Sequence, residues 1–171
     1  MSGFRTLDPT EMRDNVFRAI GDEWMLVTAG TPKQFNTMTA SWGGWGELWH
    51  RHVTFVFVRP QRYTFTFMER AGAFTLSFFP PEYRSALEYC GRVSGREVDK
   101  MAATGLTPLT GPLDTVYFAQ ARLVLICRKL YAQDLQQAGF TAPEVCAEIY
   151  PRADFHRLYV GEILTCLERE V

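Results

Sequence analysis

Trp24-Met-Leu-Val-Thr-Ala-Gly-Thr-Pro-Lys-Gln-Phe-Asn-Thr-Met-Thr-Ala-Ser-Trp42 is the stretch on which the fold class turns. Residues 24–29 form a short β-rich run, and Gly30-Thr31-Pro32 reads as a turn. Residues 35–42 return as a second strand, and neighbouring short strands usually pair. Outward from this pair the same character recurs. Val53-Thr-Phe-Val-Phe-Val58 is a strand stopped by Arg59-Pro60, and Phe74-Thr-Leu-Ser-Phe-Phe79 is another, broken by Pro80-Pro81. A long β-branched and aromatic run covers residues 116–130, and a last strand covers 158–167.

The intervening helices are short. Asp8-Pro9 with Glu11 starts one, Met12, Val16, Phe17 and Ile20 continue it at helical spacing, and Gly21 closes it. Thr64 caps a second through Arg70, residues 82–90 form a third ending at Gly91, and residues 97–104 a fourth closed by Gly105. Residues 134–139 read as a turn or a short helical segment. Strands dominate without alternating with long helices, which argues against a doubly wound parallel sheet. The expectation is a mainly β fold, a closed or partly closed antiparallel barrel whose closure hides strand edges.

A chain of 171 residues, 47% hydrophobic and 22% charged, suits one domain over residues 1–171 with a real core. Eighteen basic and 19 acidic residues leave a charge of −1, with no basic excess to hold a nucleic-acid backbone. Four Trp and 13 Phe serve a generous core, and flat ligands and subunit interfaces use such residues too. The leading Met1-Ser-Gly-Phe-Arg-Thr-Leu-Asp8 holds no apolar run of signal-peptide length, and no segment approaches the ~20 apolar residues of a membrane helix. Cys90, Cys127, Cys146 and Cys166 are widely spaced, so reduced, partly buried thiols and a cytoplasmic setting are expected.

Three polar clusters stand apart from the core pattern. In Asn36-Thr-Met-Thr-Ala-Ser-Trp42, alternation puts Thr37, Thr39 and Ser41 on one strand face and Met38 and Ala40 on the other. That hydroxyl row suits an oxygen-rich ligand, and it equally suits a plain solvated face. Arg59-Pro-Gln-Arg-Tyr-Thr64 sets two guanidinium groups before a helix start, a good anion site or else two surface arginines and an ordinary cap. In Ser94-Gly-Arg-Glu-Val-Asp-Lys100, Gly95 permits a tight loop and Lys100 reaches an anion, or the stretch is simply solvated helix.

Other motifs fail. Gly43-Gly-Trp-Gly46 lacks the Lys-Ser/Thr of a phosphate loop, and no GxGxxG opens a helix, so no separate dinucleotide-binding domain is encoded. His50-x-His52 could set two imidazoles on one strand face, but His156 is distant and no cysteine pair is near, which argues against zinc. Ser77 lies in no GxSxG elbow.

Taken in order, the three clusters resemble the flavin reductase-like family of FMN-binding split barrels, which includes flavoredoxins. Ala102-Ala-Thr-Gly-Leu-Thr-Pro108 and the late Tyr159-Val-Gly-Glu-Ile163 strand share the likeness, which spans roughly residues 15–165. The resemblance implies a six-stranded antiparallel Greek-key barrel with short flanking helices, usually a homodimer with FMN near the interface. It implies that Asn36, Thr37, Met38, Thr39, Ala40, Ser41 and Trp42 line the flavin ring and ribityl chain. Arg59, Arg62 and Thr64 would hold the phosphate, Ser94 and Lys100 would approach from the later loop, and His156 would lie near the ring. The implied function is an oxidoreductase moving hydride or electrons between NAD(P)H, or a redox partner, and a small acceptor through FMN. The alternative is a flavoredoxin-like electron carrier without NAD(P)H turnover. Trp42 and Trp45, bulkier than the continuation many members carry, bear on whether a nicotinamide can stack on the ring. Neither nucleic acid nor membrane is an expected partner.

Overall fold

The computed structural model describes residues 3–170; Met1 and Ser2, which begin the leading segment, and Val171 lie outside the described residues. Its core is an antiparallel sheet of eight strands in the order β3-β2-β6-β9-β10-β5-β4, with β1 added on β10. The strands are β1 (Phe4–Leu7), β2 (Met25–Thr31), β3 (Gln34–Ala40), β4 (Gly43–Leu48), β5 (Arg51–Val58), β6 (Ala73–Phe78), β9 (Leu123–Asp134) and β10 (Arg157–Arg169). A separate hairpin pairs β7 (Pro108–Gly111) with β8 (Thr115–Phe118). The helices are α1 (Tyr63–Arg70), α2 (Arg84–Arg92), α3 (Lys100–Thr104) and α4 (Pro143–Ile149).

Six of these strands curl around one core. Val27 and Ala29 of β2, Met38 and Ala40 of β3, and Val56 and Val58 of β5 are buried in a single cluster. Leu76 and Phe78 of β6, Leu123 and Leu125 of β9, and Tyr159 and Ile163 of β10 join it. Residues two apart share a strand face, so this cluster is the inner face of a barrel. The ladder path ends at β3 on one side and β4 on the other, leaving the barrel split there. Helix α1 sets Met68 into the same core, while α2 packs Ala86, Leu87 and Cys90 with Leu26, Val124 and Ile126 on the outer face.

The expected hairpin, Val53–Val58 strand, β6 and final strand are all present. The expected first helix is not. Asp8 caps a single 3-10 turn at Pro9–Glu11, and Asn15 Oδ1 then accepts from the N–H groups of Phe17 and Arg18 at 3.1 and 3.2 Å. That second cap breaks the run, and a short helical segment over residues 16–22 follows, most of it the π-helical turn Arg18–Asp22. The 116–130 run splits into β8 and β9 at a turn closed by Ala121 N–H on Phe118 O at 3.0 Å. Strand β4, built on Gly43-Gly-Trp-Gly46, was not expected at all. It joins β5 through Trp49 and His50, both at φ 55, the geometry of a tight two-residue hairpin. His50 therefore sits in a turn, and His52 instead pairs with Glu47 at 3.0 Å.

Gly161 is a close-packed point of the barrel. A Cβ there would lie 2.4 Å from Phe74 Cζ and 3.0 Å from Cys127 Cβ, beside a bulge between Val160 and Gly161. Phe74 is fully packed, so Gly161→Ala should destabilise the fold by about 2–3 kcal/mol through overpacking. A urea midpoint equal to that of the parent protein would contradict this.

Candidate functional site

The open edge of β3, the start of α1 and the loop after α2 meet at one cleft. A cavity of about 200 Å³ is lined by Asn36, Arg62, Thr64, Arg92, Ser94 and Lys100, among others. A second of about 250 Å³ is lined by residues 38–42, Phe57, Arg59 and His156. Met38 and Arg62 belong to both, so the two adjoin. The structure thus brings all but one of the predicted site residues onto these two cavities; Thr37 lines a neighbouring hollow with Lys100 and Gly95.

Helix α1 starts in an unusual way. Its N-cap is Arg62, extended at φ −70 and ψ 134, with no side-chain cap. The cap expected of Thr64 does not form because Thr64 already lies inside the first turn, where its hydroxyl accepts from Asn36 Nδ2 at 2.7 Å. The first N–H groups of α1 are left for another acceptor, and the helix dipole makes an anion the favoured one. Arg62 donates to Gly91 O at 2.8 Å, and burial lowers its pKa, so an anion here would relieve a desolvated cation. Arg59 is set differently. It donates to Asp154, to Ile149 O at 3.2 Å, and lies over the Tyr150 ring at 5.5 Å, so it borders only the second cavity.

Two hydroxyls of the β3 row are taken up within the protein, while Ser41 lines the second cavity. Thr37 Oγ1 shares a 2.8 Å bond with Thr28 Oγ1, and Thr39 Oγ1 donates to Leu87 O in α2. What the strand leaves open is its backbone. In an antiparallel ladder, backbone groups alternate between partner strand and outer edge. Thr37 O accepts from Lys100 Nζ at 2.7 Å, which puts Thr37 and, two residues on, Thr39 with their backbone groups on the outer edge. Thr39, which lines the second cavity, offers its N–H and C=O there.

The loop carrying Ser94 is pressed onto the strand at Gly95, where a Cβ would lie 2.0 Å from Asn36 Oδ1. Ser94 Oγ accepts from Arg96 N–H at 3.2 Å, and the Arg96 guanidinium lies over Tyr63 at 4.6 Å. Asp99 caps α3, and this sets Lys100 at its first residue, pointing inward. Lys100 is only 6% exposed and donates to Thr37 O and, at 2.9 Å, Cys90 O, both neutral. Burial chiefly lowers its pKa to about 8; Arg62 acts in the same direction and Cys90 against it.

The sign of that shift is testable. Between about 8 and 10.5 the folded apoprotein has released the Lys100 proton while the unfolded chain still holds it. The Lys100 contribution to stability therefore rises with pH across that window. Urea midpoints measured on either side of pH 8 should show this rise in the parent protein and a flatter response in Lys100→Met; identical profiles would contradict it.

At the far end, His156 is buried against Trp42, ring centroids 5.0 Å apart, and its Nδ1 shares a 2.7 Å hydrogen bond with Tyr150 OH. Burial, then the Arg59 charge, push its pKa down to about 4, against Asp154, so the imidazole is neutral at neutral pH. Sequence reasoning missed Arg92 and Tyr150. Arg92 stands two residues before Ser94 and could have been read with it, whereas Tyr150 carried no signal until its fold placed it on His156.

Residues 17–170 match the flavin reductase like domain, and the chain belongs to that family. Solved structures share the fold. The FMN-binding protein of Thermus thermophilus with bound p-hydroxybenzaldehyde superposes with TM-score 0.68 at 21% identity, over 97% of this chain and 82% of that one. Flavoredoxin of Methanosarcina acetivorans gives 0.67 at 23% identity, over 96% and 77%. The NADH:FAD oxidoreductase of Streptomyces globisporus gives 0.65 at 17%, over 96% and 87%. Comparison with curated protein sequences finds no match. Among the described residues, no helix is long and apolar enough to cross a membrane.

Proposed function

We propose that the chain, acting as one domain, binds FMN in this cleft and serves as an oxidoreductase between NAD(P)H, or a redox partner, and a small acceptor. The observation that carries the reading is the adjacency of a cationic end and a flat end. The phosphate fits the uncapped start of α1 with Arg62, Arg92, Ser94 and Lys100 around it. The ring fits the second cavity, where the β3 edge offers donors and acceptors and Trp42 and His156 supply flat surface. Bound FMN would supply hydride and electron chemistry, which no side chain of the protein provides. What the protein contributes is binding, orientation and charge: Lys100 and Arg62 favour an anionic ligand, and neutral His156 adds no charge beside the ring.

A homodimer with the cleft near its interface belongs to the same reading, since Trp42, 43% exposed, leaves an apolar rim. So does a cytoplasmic setting, in which the four buried cysteines stay as thiols. The same Trp42 favours a second reading. An indole over the cleft hinders a nicotinamide stacking on the ring, as in an electron carrier of the flavoredoxin kind.

An absorbance spectrum of the purified protein, with FMN titrated in, tests the main claim; no flavin spectrum and no uptake would overturn it. Anaerobic NADH and NADPH separate the two readings. Rapid bleaching by either supports direct nicotinamide turnover, and reduction by a protein partner alone supports the carrier.

A further inference from the structure

The segment 135–156 leaves the paired strands β9 and β10, forms α4 and returns to the cleft. It is held to the barrel through Asp154, which accepts from Arg59 and, at 2.9 Å, from Gln61 Nε2. Within it Tyr150, Phe155 and His156 pack ring against ring, with Tyr150 4.8 Å from Phe155 and 5.6 Å from His156. The hydroxyl of Tyr150 is thus fixed in a packed setting, and its one hydrogen-bonded side-chain partner is His156 Nδ1.

A neutral histidine has two tautomers, and the partner of one nitrogen decides which is present. Among the described residues the Tyr150 hydroxyl has one hydrogen-bond partner, His156 Nδ1, and burial raises its pKa, so the phenol keeps its proton. With no other acceptor in reach, the phenol proton goes to His156 Nδ1. The imidazole proton is then on Nε2. Among the described residues, the only fully buried side-chain polar atom without a partner is Ser77 Oγ. His156 Nε2 has no protein partner and is not fully buried, so it opens on the cavity that His156 lines with Trp42.

We propose that Tyr150 is a positioning residue that locks His156 as its Nε2–H tautomer, presenting a neutral N–H donor to a carbonyl oxygen or ring nitrogen of the flat ligand in the cleft. The donor role rests on the flavin reading of the cleft; the tautomer lock does not. It explains why a histidine is set beside Arg59: a donor is needed without a second charge. It also assigns the 135–156 segment a task, since that segment carries both members of the pair and is clasped to the barrel by Asp154.

The test uses the full chain with ¹⁵N-labelled histidine. Nitrogen shifts of His156 in the apoprotein should report the Nε2–H form in the parent protein and a mixture or the reverse form in Tyr150→Phe, which keeps the ring packing. FMN affinity should fall about tenfold in His156→Leu, the loss of one hydrogen bond, fall less in Tyr150→Phe, whose imidazole can still present Nε2–H, and be largely kept in His156→Gln, whose amide can donate. An Nδ1–H form in the parent protein, or an unchanged tautomer in Tyr150→Phe, overturns the lock. An unchanged FMN affinity in His156→Leu overturns the donor role. Failure of the parent protein to bind FMN at all overturns the flavin reading and the donor role together, while the apoprotein spectra still decide the lock.

Discussion

Arg62→Ala should raise the FMN dissociation constant by about ten- to a hundredfold while leaving the fold almost intact. A hydrogen bond to a charged group contributes about 1.5–3 kcal/mol, and each 1.4 kcal/mol is roughly tenfold in affinity. Arg62 ranks above Arg59 here because of what each already touches. Arg59 is neutralised by Asp154, whereas the partner of Arg62 is the neutral Gly91 carbonyl, and it borders both cavities. Removing it costs the bond to Gly91 O, about 1.5–3 kcal/mol with a charged donor, but also removes a desolvated cation that offsets much of this, so the apoprotein midpoint should move little. Arg62→Lys should recover only part of the affinity, because an ammonium keeps the charge and loses the fork that grips two phosphate oxygens. Flavin fluorescence titration beside thermal melts reads both quantities. An unchanged dissociation constant would remove Arg62 from the phosphate site.

Legibility in the sequence followed the physical signal each element carries. Strands β2, β3, β5 and β6 were readable because each combines β-branched or aromatic residues with a Gly or Pro stop. Strand β4 was not, since three of its six residues are glycine and its pairing with β5 comes from the hairpin rather than from propensity. The helical spacing of Met12, Val16, Phe17 and Ile20 was real yet misleading. Asn15 offers the backbone a competing acceptor in mid-run, and of the four only Ile20 is fully buried: Met12 and Val16 pack half-buried on the core and Phe17 is exposed. At the cleft, side-chain patterning pointed to β3 through its hydroxyls, and the structure uses two of them otherwise. Thr37 and Thr39 bond within the protein, and the strand's open edge, which no residue pattern reveals, faces the cavity.

Gly95→Ala should weaken FMN binding at least tenfold and lower the melting temperature by about 3–10 °C. The backbone of Gly95 is not in the left-handed region, so the effect would come from space alone. An alanine Cβ would lie 2.0 Å from Asn36 Oδ1, 3.1 Å from its Cγ and 3.4 Å from Tyr63 Cδ1. Asn36 has little room to yield, being 7% exposed and tied to Thr64 through Nδ2. If Asn36 turns away, Thr64 loses its partner in the first turn of α1. If the loop lifts instead, Ser94 moves out of the first cavity, and Lys100, six residues on, is drawn from Thr37 O. Either route reaches the cationic end of the cleft, which is why one methyl group should affect binding and stability together. Gly105→Ala is the matching control. Gly105 sits at φ +69 with no atom within 4 Å of the added carbon, so alanine there costs about 1 kcal/mol of backbone strain and touches nothing in the cleft. Loss of stability with full FMN affinity in Gly105→Ala, against loss of both in Gly95→Ala, is the expected pair of results; equal FMN affinity in the two variants would place the 94–100 loop outside the binding site.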